Sequence, residues 1–229
     1  MVVFSPEHEG SLANMPVERI RTVVGAWMNR TKELMATEGV VQVFPFENRG
    51  EEIGVTLHHP HGQIYCYPFV APRTQRLVEQ VTAHGASFFE DLLQFEISGE
   101  RVVLESEHFL AYVPFAARWP VEIHALPKRH IQDLSELSDA EADDLAAFYK
   151  KLLQGLDRLY PTPTPYISAW HQAPKIENRN WLRLMLQITS PRRGADKLKF
   201  LAGSESAMGA FVGDIAPEET AARLREVIK

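Results

Sequence analysis

A chain of 229 residues, 45% hydrophobic and 24% charged, can bury one large core or two small ones and excludes a disordered or low-complexity protein. Its formal net charge of −6 argues against a broad nucleic-acid surface and makes any phosphate site a local feature. The single cysteine, Cys66, permits no internal disulfide, no stretch approaches the roughly 18 apolar residues of a membrane span, and no leader pattern opens the chain, so it reads as soluble and cytoplasmic.

Residues 2–4 predict a short strand, an unusual opening with neither leader nor cap, and Ser5-Pro6-Glu7-His8 turns out of it. Val17, Ile20, Val24, Trp27 and Leu34 recur at helical spacing and predict an amphipathic helix from Pro16 to Ala36, packed on a sheet. Val40 to Phe46 reads as a strand, Glu47-Asn48-Arg49-Gly50 as a turn, Ile53 to Leu57 as an extended lead-in, and 64–69 as another strand. Cys66, on that strand, has no cysteine or activating cation beside it and reads as a buried thiol. A helix is predicted from Thr74 to about Phe95, broken or ended near Gly85. Arg101 to Glu105, Phe109 to Val113 and Val121 to Leu126 then read as strands.

Ser138-Asp139-Ala140-Glu141 has the capping-box pattern and opens a helix reaching about Tyr160, with Leu145, Phe148, Leu152, Leu156 and Leu159 on one face. Strands near 165–170 and 181–189 follow. Pro217 with Glu218 and Glu219 marks the start of a last helix. The two halves share this plan. The expected fold is α+β: two related units, 1–72 and 73–229, each an antiparallel sheet covered by helices, the first one short at its front.

The chemistry concentrates in Leu57-His58-His59-Pro60-His61-Gly62-Gln63, where three of the nine histidines fall within four positions. On a strand, positions two apart face the same side, so His59 and His61 can serve one site. Gly62 lets a backbone approach a ligand, and Gln63 can donate and accept. An imidazole, largely uncharged near neutral pH, is a competent nucleophile toward phosphorus.

His59-Pro60-His61-Gly62-Gln63 resembles the signature of the galactose-1-phosphate uridylyltransferases, a branch of the histidine-triad superfamily with Gln where the last His would stand. Phe46-Glu47-Asn48-Arg49-Gly50 with Gly54, and Lys199-Phe200-Leu201-Ala202-Gly203-Ser204-Glu205, are similar to further segments of that family. The resemblance covers nearly the whole chain and implies two histidine-triad-like units, the first truncated at its N-terminus. It implies a ping-pong uridylyl transfer from UDP-glucose to galactose 1-phosphate, giving UDP-galactose. His61 resembles the nucleophile and Gln63 the amide that holds the phosphoryl oxygens. Asn48, Gly54 and Thr56 match positions near the phosphates. Lys199, Phe200, Ala202 and Glu205 match a segment that binds the hexose phosphate across a homodimer.

The resemblance also bears on metals. His8 and His59 match two zinc ligands of the family, but the Cys-x-x-Cys pair that completes the set is not in this sequence, and two imidazoles make a poor structural zinc site. Some members bind iron through a carboxylate and three histidines. His171 matches one of these, whereas Arg183 and Met185 stand at the late His-x-His pair, and neither suits iron. The iron site is therefore expected to be missing, with His171 a satisfied, partly buried histidine. Two alternatives remain at this point: a catalytically silent, binding-only remnant of the family, and a related nucleotide-sugar phosphorylase or hydrolase. Gln63 argues against hydrolysis.

Overall fold

The computed structural model describes residues 1–228. Eight strands form one sheet with antiparallel pairing throughout: β1 (Val2–Val3), β2 (Gln42–Arg49), β3 (His61–Tyr67), β4 (Val102–Glu105), β5 (Phe109–Tyr112), β6 (Val121–Pro127), β7 (Tyr166–His171) and β8 (Met185–Ser190), ordered β1-β3-β2-β7-β8-β6-β5-β4. A small hairpin, β9 (Arg192–Gly194) with β10 (Lys197–Leu198), follows. The helices are α1 (Val17–Ala36), α2 (Pro72–His84), α3 (Phe88–Ile97), α4 (Asp139–Arg158), α5 (Gly203–Met208) and α6 (Pro217–Val227).

The α+β class is as the sequence implied. The strands of the two segments join in a single sheet, where the sequence reading placed one sheet in each. The joint is β2 against β7, with Phe46 opposite Ala169 and Asn48 opposite Ile167. That pairing satisfies backbone groups which would otherwise line an open edge.

Period-2 alternation divides the sheet into two faces. On one, Ile20, Val24 and Trp27 of α1, Leu145, Phe148 and Leu152 of α4, and Leu224 of α6 bury Ile123, Trp170 and Ile188. The predicted capping box of α4 is formed. Ser138 Oγ accepts from the Glu141 amide at 3.2 Å, and Glu141 Oε2 accepts from the Ser138 amide at 2.8 Å. On the other face, α2 and α3 cover only one end, packing Val81, Phe89 and Leu93 onto Leu110, Tyr112 and Leu126. Over β2, β3 and β7 that face is open and carries Phe44, Phe46, Tyr65, Tyr67 and Ile167.

Of four local expectations, three need correction and one is met. The turn at Glu47–Gly50 is strand as far as Arg49, because β7 offers those residues a ladder. The extended lead-in at Ile53–Leu57 is instead a 3-10 turn, Glu51–Ile53, followed by coil. The break expected near Gly85 is there, between α2 and α3, because Gly85 takes φ +108°, outside helical space. Cys66 is exposed: on its side of β3, burial falls off from Gly62 through Ile64 to Cys66. Among the described residues no helix is long and apolar enough to cross a membrane.

Candidate active site

Hydrogen bonding between β2 and β3 sets Gln63 opposite Phe46, so His61 and Gln63 both lie on the sheet's open face. Gly62, between them, turns to the helical side. A Cβ there would lie 2.8 Å from Phe4 Cζ and 3.0 Å from the Phe46 carbonyl oxygen. Phe4 in turn packs edge-on against Trp27, and its amide donates to the Pro60 carbonyl at 2.9 Å. The loop bearing the histidines is thus clamped from beneath by the first residues of the chain.

His61 Nδ1 lies 2.8 Å from the His59 carbonyl oxygen. A carbonyl can only accept, so Nδ1 is the donor, and in the neutral ring the lone pair is on Nε2. Beside it is a cavity of about 260 Å³ bounded by Asn48, Arg49, Gly50, His58 and His59. Among the described residues, the side-chain amides of Asn48 and Gln63 make no internal hydrogen bond, which leaves both free for a ligand. Gly50 is required twice over: its φ is +110°, and a Cβ would meet Pro165 Cβ at 2.6 Å. Gly54, at φ +86°, ends the 3-10 turn, and Thr56 lies exposed beyond it; neither bounds the cavity.

At the floor of this cavity sits Glu47, buried on the helical side of β2. It accepts from Tyr166 Oη at 3.1 Å and more distantly from Tyr149 Oη at 3.4 Å. Burial pushes its carboxyl from the ordinary 4.5 up to about 7, against the pull of the Tyr166 hydroxyl and of Arg49. Arg49 is itself paired with Asp157 at 2.6 Å and lies over the Tyr166 ring. A carboxyl whose folded value is raised stabilises the fold fully below about 4.5, and that stabilisation drains away as pH rises through about 7. Glu47→Gln should therefore gain on the native protein with pH. The difference in unfolding free energy (variant minus native) is expected to widen between about pH 5 and pH 8, by on the order of 3 kcal/mol at most. A difference that stays flat across that range would mean Glu47 does not titrate there.

The late segment is arranged differently. Lys199 Nζ pairs with Glu205 at 2.6 Å and donates to the Arg118 and Val212 carbonyls at 2.9 and 2.7 Å. That Lys199 bond, with the Ala202 and Val212 amides, holds the Glu205 carboxyl down to about 2. Within one chain these two groups are committed to each other. Phe200, 80% exposed, is what the segment presents outward, beside Ile53 and Ile167.

His8 and His59 do come together. Their Nδ1 atoms are 3.0 Å apart, and His59 Nε2 donates to the Ser5 carbonyl at 2.7 Å. That second bond is the kind that orients a metal-binding imidazole. A structural zinc wants four ligands, however, and among the described residues no group of three His, Cys, Asp or Glu gathers anywhere. The residues present do not complete a zinc site. His171 Nε2 donates to Gln187 Oε1 at 3.0 Å, while Arg183 is buried and donates to the Lys128 carbonyl at 2.6 Å and the Phe89 carbonyl at 3.3 Å.

Two family models account for the chain: the N-terminal domain of galactose-1-phosphate uridyl transferase matches residues 1–71, and its C-terminal domain residues 74–229. The chain belongs to the galactose-1-phosphate uridyl transferase family. A relative named galactose-1-phosphate uridylyltransferase from Streptomyces lividans is 42% identical over 99% of this chain and 68% of its own length. One of the same name from Thermotoga maritima is 37% identical over 99% and 73%. Among solved structures, a uridylyltransferase superposes with a TM-score of 0.93 at 35% identity, covering 99% of this chain and 73% of that one. An ADP-glucose phosphorylase from Arabidopsis thaliana, bound to ADP-glucose, gives 0.87 at 26%, covering 98% and 71%.

Sequence reasoning passed over Glu47 and Arg49 as structural partners because it ended β2 too early. Val43 and Glu47 share a parity along the strand, a signal that would have sent Glu47 inward. Phe4 could not have been found this way, since its role depends on pairing β1 with β3.

Proposed function

We propose that this protein transfers a uridylyl group from UDP-glucose to galactose 1-phosphate through a covalent uridylyl-histidine at His61. The observation that supports the reading is the bond from His61 Nδ1 to the His59 carbonyl, which in the neutral ring puts the lone pair on Nε2, in a residue that lines the cavity. In the first half, the Nε2 lone pair attacks the α-phosphorus. An N–P bond forms, the P–O bond to glucose 1-phosphate breaks, and that group departs with the electron pair. In the second half, an oxygen of galactose 1-phosphate attacks the same phosphorus and the imidazole recovers its lone pair. Glucose 1-phosphate leaves as a weak base and needs no protonating histidine, so a neutral amide at Gln63 suffices to hold the phosphoryl oxygens. Asn48, with Gly54 and Thr56 in the adjoining loop, would complete the phosphate cradle. Lys199, Phe200, Ala202 and Glu205 would serve the hexose phosphate from a second copy in a homodimer. His8 and His59 stand as half of a zinc ligand set, and no step depends on a metal.

The diagnostic experiment is isotope exchange. Labelled glucose 1-phosphate should enter UDP-glucose with no galactose 1-phosphate present, because the first half-reaction is reversible on its own. Exchange that requires the second sugar phosphate would rule out the double displacement. The likeness to an ADP-glucose phosphorylase supports a second reading. It predicts that inorganic phosphate, in place of a sugar phosphate, discharges the intermediate. His8→Ala should keep a substantial part of the exchange, since His8 meets His59 and not His61. Complete loss in that variant would move His8 into the reacting machinery.

A further inference from the structure

A much larger cavity, about 860 Å³, lies between helices α2 and α3 and the sheet, apart from the His61 cavity. Protein interiors close up voids of this size, and a volume near the top of the small-molecule range with apolar walls is characteristic of a ligand site. Its walls include Leu77, Phe88, Leu92, Tyr112 and Met185. At its mouth stand Arg73, Arg76 and Arg118, all exposed.

The charge of that mouth is unpaired, with Arg118 repelling Arg73 and Glu122 acting on Arg73 without an ion pair. Among the described residues none of the three guanidinium groups pairs with a carboxylate. Two acids of the cavity region are already engaged. Glu122 accepts from the Arg118 and Trp119 amides at 2.7 and 3.3 Å, from Gln187 Nε2 at 2.5 Å and from His124 Nε2 at 2.9 Å. Glu96 is bound to Arg101 at 2.8 Å. In a chain of net charge −6, three arginines left without acid partners around one apolar opening form a local anion trap. The guanidinium fork is the side chain best shaped to seize a carboxylate, phosphate or sulfonate.

We propose that this cavity binds a small amphiphilic anion, its aromatic or branched apolar body among Phe88, Leu92 and Met185 and its acidic head between Arg73 and Arg118. The site is separate from the one assigned to uridylyl transfer and stands whether or not that assignment holds. Nothing in it requires a metal or a covalent step.

The test uses 8-anilinonaphthalene-1-sulfonate, whose fluorescence rises in apolar surroundings and whose sulfonate stands in for the acid. It is titrated against the full chain with saturating UDP present to occupy the His61 cavity. A saturable signal with one site per chain is expected. Arg73→Gln with Arg118→Gln should weaken binding at least tenfold, and both positions are exposed, so the fold is retained. The uncharged N-phenyl-1-naphthylamine should bind that double variant as well as it binds the native chain. Leu92→Trp, which pushes an indole into the apolar wall, should weaken the binding of both probes. The proposal is overturned if the sulfonate binds the double variant undiminished, if binding never saturates, or if UDP displaces the probe.

Discussion

Replacement of His61 by Ala is expected to lower turnover by roughly four orders of magnitude or more while leaving the fold intact. The size follows from its role: removing a nucleophile deletes the covalent path, and what survives is positioning alone. The fold should survive because the side chain is only half-buried and its hydrogen bond within the chain is the one to the His59 carbonyl. Loss of activity with an unchanged melting temperature and far-UV spectrum is the expected pair of results. A variant that turns over at even a tenth of the native rate would remove His61 from the chemistry.

Gly62→Ala should damage both stability and rate by adding one methyl group. The new Cβ would be forced to within 2.8 Å of the Phe4 ring and 3.0 Å of the Phe46 carbonyl oxygen. The ring could give way, but it is buried and wedged against Trp27, and the carbonyl belongs to a paired strand. Overpacking of this kind costs about 1–3 kcal/mol, or roughly 2–12 °C of melting temperature for a chain of this size. If the strain is instead relieved by lifting β3, His61 moves with it, and a displacement of about 1 Å is worth on the order of a hundredfold in rate. Gly25→Ala, on α1, is the control, since a Cβ there meets only the flexible end of Arg21, at 3.4 Å. Native behaviour in Gly62→Ala would show that β1 and Phe4 do not clamp the nucleophile loop.

Much of this was legible in the chain itself. Trp27 and Leu145 announced buried helix faces by their spacing, and Ser138 with Glu141 announced a cap that is formed with both bonds. The cluster from His59 to Gln63 pointed to a candidate site because so many polar, ligand-competent groups rarely gather at a strand end for packing alone. What stayed hidden depends on long-range pairing. Residues 47–49 look like turn formers, and only β7, more than a hundred positions later, makes them strand. The Lys199–Glu205 pair looks like two free charges until the backbone folds one onto the other. Arg73 and Arg118 are 45 positions apart, and no local pattern shows that their shared cavity leaves both without a carboxylate.

The central claim is that the His61 ring nitrogen becomes covalently loaded. The chain should be mixed with UDP-glucose alone, quenched, digested under conditions that spare the N–P bond, and its peptides sequenced by tandem mass spectrometry. A uridylyl group is expected on the peptide spanning His59 to Gln63, with fragment ions assigning it to His61. A uridylyl group on any other residue, or none after the substrate has been consumed, would contradict it.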